Sequence, residues 1–327
     1  MKILSYNKSY KTIFIQDFMI NIIITSYGEP KATELAVNSF LNQNIKQKYK
    51  IIVSDPFPET KWMLDEKFPN NSNIEYFEDE GKGKSYALNI ILKKLYSKNK
   101  NDIFILIDGD VYVSENSVQE ILEKFKDEKV ACVSGHPVSI NDKNNLLGYW
   151  SHFLNDVGAH QISRKKRYEQ GKFIECTGYL FAFRNGIIRE FPLDVAEDTI
   201  VPYLMYELGY KIAYAENALV FVKWPTNIKD WIKQKKRAAD AHSKLTKYVK
   251  NFPKIKSLKS ELIEGTFTNF KTVWSYPKNL KEYYYTFLLF PLRLYTWLSL
   301  YKDLKQKKEY KDGWRENLAV DSTRPLD

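Results

Sequence analysis

The sequence predicts an α/β fold, a mostly parallel Rossmann-like sheet with helices on its faces, followed by C-terminal helices suited to an interface. Three observations predict it. Short Ile- and Val-rich runs alternate with helix-period segments through the first two-thirds of the 327 residues. One run, Ile103-Phe104-Ile105-Leu106-Ile107, is apolar at every position, as a strand covered on both faces must be. After Trp224-Pro225 the texture changes to Lys-rich helical sequence and then to a dense aromatic stretch.

Taken in order, Ile22-Ile23-Ile24 reads as the first strand, with a helical pattern from Glu34 to Leu41 behind it. Ile51-Ile52-Val53 and the run from Ile74 to Phe77 read as the next two strands. A helix follows from Ser85 to about Leu95, then the wholly apolar strand. Val118 to Phe125 is amphipathic, Val130 to Val133 is another short strand, and Val201 to Leu208 is helical. Strand, helix and strand repeated in this way imply right-handed crossovers in one sheet. Ligands of such sheets gather at the carboxyl ends of the strands, so chemistry is sought in the residues just after each strand.

Hydrophobic residues make up 44% and charged residues 28% of the chain, which excludes a disordered protein and a polytopic membrane protein. The net charge of +10 favours acidic partners. Much of it lies between Lys223 and Lys259, with about a dozen Lys and Arg against only Asp230 and Asp240. Cys132 and Cys176 sit in apolar runs and read as buried thiols of a reducing compartment. The N-terminus carries no export leader, so the chain is expected to stay inside the cell. The stretch Tyr283 to Leu298 approaches the length of a membrane span, but Pro291 and Arg293 sit at its centre. A central Arg costs about 2.5–3.5 kcal/mol on insertion. An interfacial or re-entrant helix is therefore the first reading, ahead of a bent single span or a core helix.

Asp108-Gly109-Asp110 lies directly after the most buried strand. Two carboxylates there can present oxygens to Mg2+ or Mn2+, with a diphosphate supplying the rest. An Asp-Gly turn alone would look the same. Gly83-Lys84-Ser85 follows a Gly-containing loop and opens a helix, where free N–H groups favour an anion and Lys84 can face a diphosphate. The strand ends Ser26-Tyr27-Gly28-Glu29 and Asp55 are placed to wall a nucleoside pocket. Glu197-Asp198 precedes a helix; Asp198 reads as an N-cap and also as a general base for a hydroxyl. Gln234 and Arg237 are three apart on one basic helix face, where Arg237 suits phosphate oxygens. His136, His152, His160 and His242 have no metal-ligand spacing.

With these residues in hand, the chain resembles the family-two inverting glycosyltransferases of A-type fold, in the branch of cellulose, hyaluronan and poly-N-acetylglucosamine synthases. The likeness runs from about Asn21 to Ala241. It is carried by the turn Thr25-Ser26-Tyr27-Gly28-Glu29-Pro30, the helix Ala36 to Gln43, the run Gly83 to Asn89, and Asp108-Gly109-Asp110. Gly178 with Phe181 to Arg184, Glu197-Asp198, and Gly209 to Ile212 complete it. The resemblance implies a catalytic domain over residues 20–225 after a lead at 1–19, acceptor-side basic helices at 226–278 and a membrane-associating segment with tail at 279–327. It implies a nucleotide-sugar donor with UDP as the nucleotide, Asp110 and Asp108 on the metal, Asp198 as base, and Gln234 and Arg237 on the catalytic helix. Ser26, Tyr27, Glu29, Asp55, Lys84, Asp108, Gly178 and Glu197 would line the donor site.

The expected acceptor is a lipid-linked or surface glycan, the expected location the cytoplasmic face of a membrane, and nucleic acid is not expected as a partner. Where the family has Trp after its Gln-x-x-Arg, this chain has Ala238, which removes a sugar-stacking platform. Trp314-Arg315 and Ser322-Thr323-Arg324 are similar to a tail that follows the membrane segment in this branch. The competing expectations are a nucleotidyltransferase and a non-catalytic binder of sugar nucleotides or anionic surfaces.

Overall fold

The structure, a computed structural model, describes residues 18–250, 253, 255, 257–263 and 268–306. The tail motifs at Trp314 and Ser322 lie outside the described residues. One eight-stranded sheet organises the chain, in the order β3-β2-β1-β4-β7-β6-β8-β5. Its strands are β1 (Met19–Thr25), β2 (Lys48–Asp55), β3 (Ile74–Glu78), β4 (Ile103–Asp108), β5 (Tyr112–Val113), β6 (Val130–Ser139), β7 (Leu180–Arg184) and β8 (Lys211–Val222).

The first half is parallel, as the alternating pattern predicts. Helices α1 (Pro30–Leu41), α2 (Pro58–Lys67) and α3 (Lys84–Leu95) make its crossovers. Registers align Thr25 with Ser54 on one side and with Asp108 on the other. The chain segments leaving β1, β2 and β4 therefore emerge in one row. Gly109 packs tightly there: a Cβ on it would lie 2.7 Å from Ser26 Cβ, and its N–H donates to Thr25 O at 2.7 Å.

The second half is mixed. Strand β7 runs antiparallel between β4 and β6, while β6 and β8 are parallel. Because β7 runs the other way, its first residue, Leu180, pairs with Ile107 near the end of β4. The residues preceding β7 thus arrive at the same edge as the residues leaving β4. Helix α4 (Ser117–Lys124) covers this half, and β6 extends to Ser139, beyond the short strand expected at Val130–Val133.

Helix α5 (Leu146–Phe153) continues as a π-helix (Leu154–Lys165) and a last α-turn, α6 (Lys166–Glu169). Helix α7 (Glu197–Glu207) precedes β8, and α8 (Ile228–Lys244) follows it. Two short helices, α9 (Leu258–Leu262) and α10 (Phe270–Trp274), lead to α11 (Leu280–Lys305). A separate apolar core ties the late helices to the π-helical insertion, joining Tyr149, Trp150 and Phe153 to Trp231, Val273 and Leu289.

Helix α11 runs unbroken through Pro291, roughly 39 Å long at the α-helical rise. Its Arg293 forms a two-pronged pair with Glu261, both contacts 2.6 Å, and Trp297 Nε1 donates to the same carboxylate at 2.7 Å. Despite burial, Arg293 holds the Glu261 carboxyl below its ordinary value. One face of α11 is buried through Leu289, Trp297 and Leu300; the other exposes Tyr284, Phe287, Tyr295 and Leu298. Among the described residues no helix is long and apolar enough to cross a membrane.

The π-helix is pinned to the sheet by two stacked imidazoles. His136 and His160 lie ring on ring, 4.0 Å between centroids, and His160 Nδ1 is 2.7 Å from the Tyr214 hydroxyl. Burial lowers the His160 pKa to about 4, and the neighbouring His136 adds to the shift. Arg164, Lys165, Asp156 and Glu216 surround the pair. The unfolded chain takes up this proton near pH 6.5, whereas the folded chain resists it until about pH 4. Stability is thus expected to fall as pH drops from about 6.5 towards 4. Urea unfolding at stepped pH should show this slope in the native protein and a flatter one in His160→Gln.

Candidate active site

The two halves of the sheet enclose a cavity of about 1250 Å³ at the edge where the strand ends meet. Local sequence explains how each side chain reaches it. Glu29 ends the β1 turn and Pro30 starts α1, so Ser26, Tyr27 and Glu29 are held between a strand and a helix start. Ser26 is fixed by its N–H donating to Ser54 O at 2.8 Å and by Thr33 Oγ1 donating to Ser26 Oγ at 2.7 Å. Tyr27 stands partly exposed, edge-on to Phe57 at 5.0 Å.

Asp55 is placed otherwise than its sequence position suggests. It is fully buried and is absent from the cavity wall. Its carboxylate accepts from the N–H groups of Gly28 (3.0 Å) and Phe57 (2.8 Å) and from Thr60 Oγ1 (2.8 Å). A carboxylate so occupied shapes the Tyr27-Gly28 turn from behind the cavity wall. Gly28 has φ of +68°, a conformation that L side chains rarely adopt, so the turn needs glycine there.

Lys84 is the meeting point of three segments. Gly83, with φ of +106°, ends the loop, and Lys84 is the first residue of α3, one earlier than expected. Its ammonium lies 2.5 Å from Asp108 Oδ1 and 2.6 Å from Glu197 Oε1. Burial opposes the charge, but Asp108 and Glu197 together raise the Lys84 pKa well above its ordinary value. The lysine thus neutralises two carboxylates at the cavity wall.

Asp110 and Asp198 line the same cavity. Asp198 is not the N-cap: Ala196 holds that position, and Glu197 and Asp198 begin the first turn of α7, where the helix dipole favours negative charge. Gly178 explains how close the two walls come. A Cβ at residue 178 would stand 2.8 Å from Asp198 Oδ2, so a larger residue would displace that carboxylate from its place against the loop before β7. The loop before α7 is itself anchored by Asn89, whose side chain accepts from Phe191 N at 2.7 Å and donates to Phe191 O at 2.9 Å.

The far wall is α8, capped by Asn227, whose side chain accepts from Asp230 N at 2.9 Å. It brings Gln234 and Arg237 to the cavity together with Lys235. Its seat includes Glu175, which accepts from Tyr203 OH at 2.5 Å and contacts His242 Nε2 at 2.8 Å. Sequence reasoning missed Glu175, Tyr179 and Trp224 as cavity residues; only the aromatic Trp224-Pro225 boundary signalled any of them. Part of the remaining wall is apolar, with Leu289, Phe290, Leu294 and Trp297 of α11 and Val157 and Ile162 of the π-helix, beside the Arg293–Glu261 pair. The Cys132 and Cys176 thiols are both buried, 3.3 Å apart, with burial pushing the Cys176 pKa up.

As a metal centre the donor set is partial. Asp108 already carries Lys84, and the described residues contain no cluster of three or more His, Cys, Asp or Glu placed for an ion. Asp110 and the remaining Asp108 oxygen fit a divalent cation only if a ligand's own oxygens complete its shell.

The mixed eight-stranded sheet, with a cavity at its strand ends, is the A-type fold found in glycosyltransferases. The profile of glycosyl transferase family 2 matches residues 21–191, more than half of the chain, and the chain belongs to that family. Hyaluronan synthase of Streptococcus pyogenes is 22% identical over 248 residues, 68% of this chain and 56% of the synthase. Poly-beta-1,6-N-acetyl-D-glucosamine synthase of Staphylococcus aureus is 24% identical over 228 residues, 67% of this chain and 53% of that one. The chain spans about half the length of these curated relatives. A mannosyltransferase of Pyrobaculum calidifontis, solved with GDP-Man and Mn2+, shares the fold with a TM-score of 0.58 at 16% identity. That match covers 91% of this chain and 88% of the mannosyltransferase.

Lys84→Met should leave Asp108 and Glu197 facing each other without a cation. Losing a buried pair costs about 3–5 kcal/mol, and partial exposure of Lys84 and Asp108 argues for the lower end. Denaturant midpoints would check this, with Lys84→Arg expected to recover part of the loss.

Proposed function

We propose that this protein is an inverting transferase that moves a sugar from a nucleoside-diphosphate donor, with UDP as the nucleotide, to a hydroxyl of a lipid-linked or surface glycan. The observation that carries the reading is that Asp110 and Asp198, from opposite halves of the sheet, line one cavity. In the reaction the bond from the anomeric carbon to the diphosphate oxygen breaks as a bond to the acceptor oxygen forms. Asp198 takes the hydroxyl proton. Gly178 packs the loop before β7 against that carboxylate at the cavity wall.

Asp110, with the free oxygen of Asp108, would hold Mn2+ or Mg2+. A bound divalent ion supplies neutralisation of the charge that builds on the departing diphosphate. Arg237 on α8 contributes a second positive group, its fork suited to phosphate oxygens. Ser26, Tyr27 and Glu29 border the donor end. Lys84 and Glu197 act there by holding Asp108 and the start of α7 in place.

The acceptor end supports an amphiphile. Its apolar wall from α11 is continuous with the polar donor end, and the outer face of α11 exposes Tyr284, Phe287, Tyr295 and Leu298. Aromatic and aliphatic side chains on a helix whose other face is packed suit a bilayer interface. The neighbouring Lys and Arg residues of α8 favour anionic headgroups. The protein would thus work as a peripheral enzyme on the cytoplasmic face of a membrane.

Calorimetry with UDP should show binding that requires Mn2+ or Mg2+ and is lost in Asp110→Ala; metal-independent binding would count against the reading. Asp198→Asn should retain UDP binding and lose transfer by about 100-fold or more. In flotation with anionic phosphatidylglycerol vesicles the native chain should rise with the lipid. The double substitution Phe287→Glu and Leu298→Glu should leave it in the dense fractions.

A further inference from the structure

We propose that Tyr179, Trp224 and Gln234 form the subsite for the acceptor's sugar ring, supplying from the loop before β7, the segment after β8 and helix α8 the platform that position 238 lacks. The inference rests on the transferase reading above and specifies where its acceptor lies. Residue 238 is an exposed alanine at the cavity wall, so no ring is available there. Tyr179 directly follows Gly178, the residue pressed against the Asp198 carboxylate. Tyr179 and Asp198 line the same cavity, so a ring whose hydroxyl reaches Asp198 would have the Tyr179 side chain in its enclosure.

Trp224 meets Tyr179 edge to face, 5.6 Å between centroids at 70°, and both line the cavity. Rings at that angle make a corner, and their electron-rich faces attract the weakly positive C–H groups of a sugar. The polar atoms of the corner are incomplete. Gln234 Nε2 donates to Tyr179 OH at 3.3 Å, but Gln234 Oε1 and Trp224 Nε1 are buried with no hydrogen-bond partner. Exchanging the amide oxygen and nitrogen leaves the other end unmatched, so the deficit does not depend on that assignment. An unmet donor and an unmet acceptor in one wall suit hydroxyls, which both donate and accept. The Lys235 ammonium lies 4.6 Å from the Trp224 ring centre, so a flexible side chain covers the indole face and swings aside to admit a sugar.

The test uses the full chain and first identifies a donor by screening nucleoside-diphosphate sugars for transfer to lipid-phosphate carriers and to short glycans. Trp224→Leu is then compared with Trp224→Phe and Tyr179→Phe. In Trp224→Leu the acceptor KM should rise about ten-fold or more, equivalent to about 1.4 kcal/mol of binding, with the UDP Kd measured by calorimetry within about two-fold of native. Trp224→Phe keeps a ring but loses the N–H, and should fall between native and Leu. Circular dichroism melts identify a variant that fails to fold, in which case the Phe variants decide. A native acceptor KM in folded Trp224→Leu, or in Trp224→Phe where Leu does not fold, overturns the subsite and leaves the transferase reading standing. Failure of the unsubstituted protein to bind UDP or to transfer any sugar overturns that reading, and the subsite with it.

Discussion

The site depends on a single ammonium group. Lys84 stands between Asp108, at the end of the central strand β4, and Glu197, at the start of α7. Without a cation there, two carboxylates from distant parts of the chain would repel each other across a poorly solvated wall. With it, the start of α3, the end of β4 and the start of α7 are held together. The position of Asp198 follows, because it is the residue after Glu197 in the same helical turn. The contact of Gly178 with Asp198 then brings in the loop before β7. An electrostatic triad thus links segments on two sides of the cavity.

The sheet supplies the geometry that the triad needs. Its parallel half delivers the β1 and β4 turns to one edge, since parallel strands all end on the same side. A further parallel strand beside β4 would begin on the opposite edge. Strand β7 is antiparallel, so its start, and with it Gly178 and Tyr179, comes to the carboxylate edge. The π-helical insertion and the late helices share a core of their own and close the cavity with apolar side chains. Polar chemistry and an apolar wall therefore meet within one enclosure.

Much of this was legible beforehand because strand ends in such sheets are where ligands collect. Asp108, Asp110, Gly178, Glu197 and Asp198 were each read as candidates and all line the cavity. Three readings changed for physical reasons. Asp55 has the right address, but the N–H groups of Gly28 and Phe57 occupy it, a backbone contact that residue types do not reveal. Asp198 is displaced from the cap position by Ala196, because cap geometry depends on the φ and ψ of the preceding residue. Arg293 looked like an obstacle in a hydrophobic segment; its partner Glu261, 32 residues earlier, accounts for it.

Apolar periodicity and turn residues determined on their own that this chain is a layered α/β protein, because burial of alternating runs is a local property of sequence. They also determined that its acidic residues cluster at strand ends. Which carboxylate pairs with Lys84, which one is sealed behind a turn, and which aromatic rings face the cavity were decided only by tertiary structure. Those outcomes rest on contacts between residues far apart in the chain, such as Lys84 with Glu197 and Tyr179 with Trp224. Pairing of that kind is set by strand order and helix packing, which bring such partners within a few ångströms.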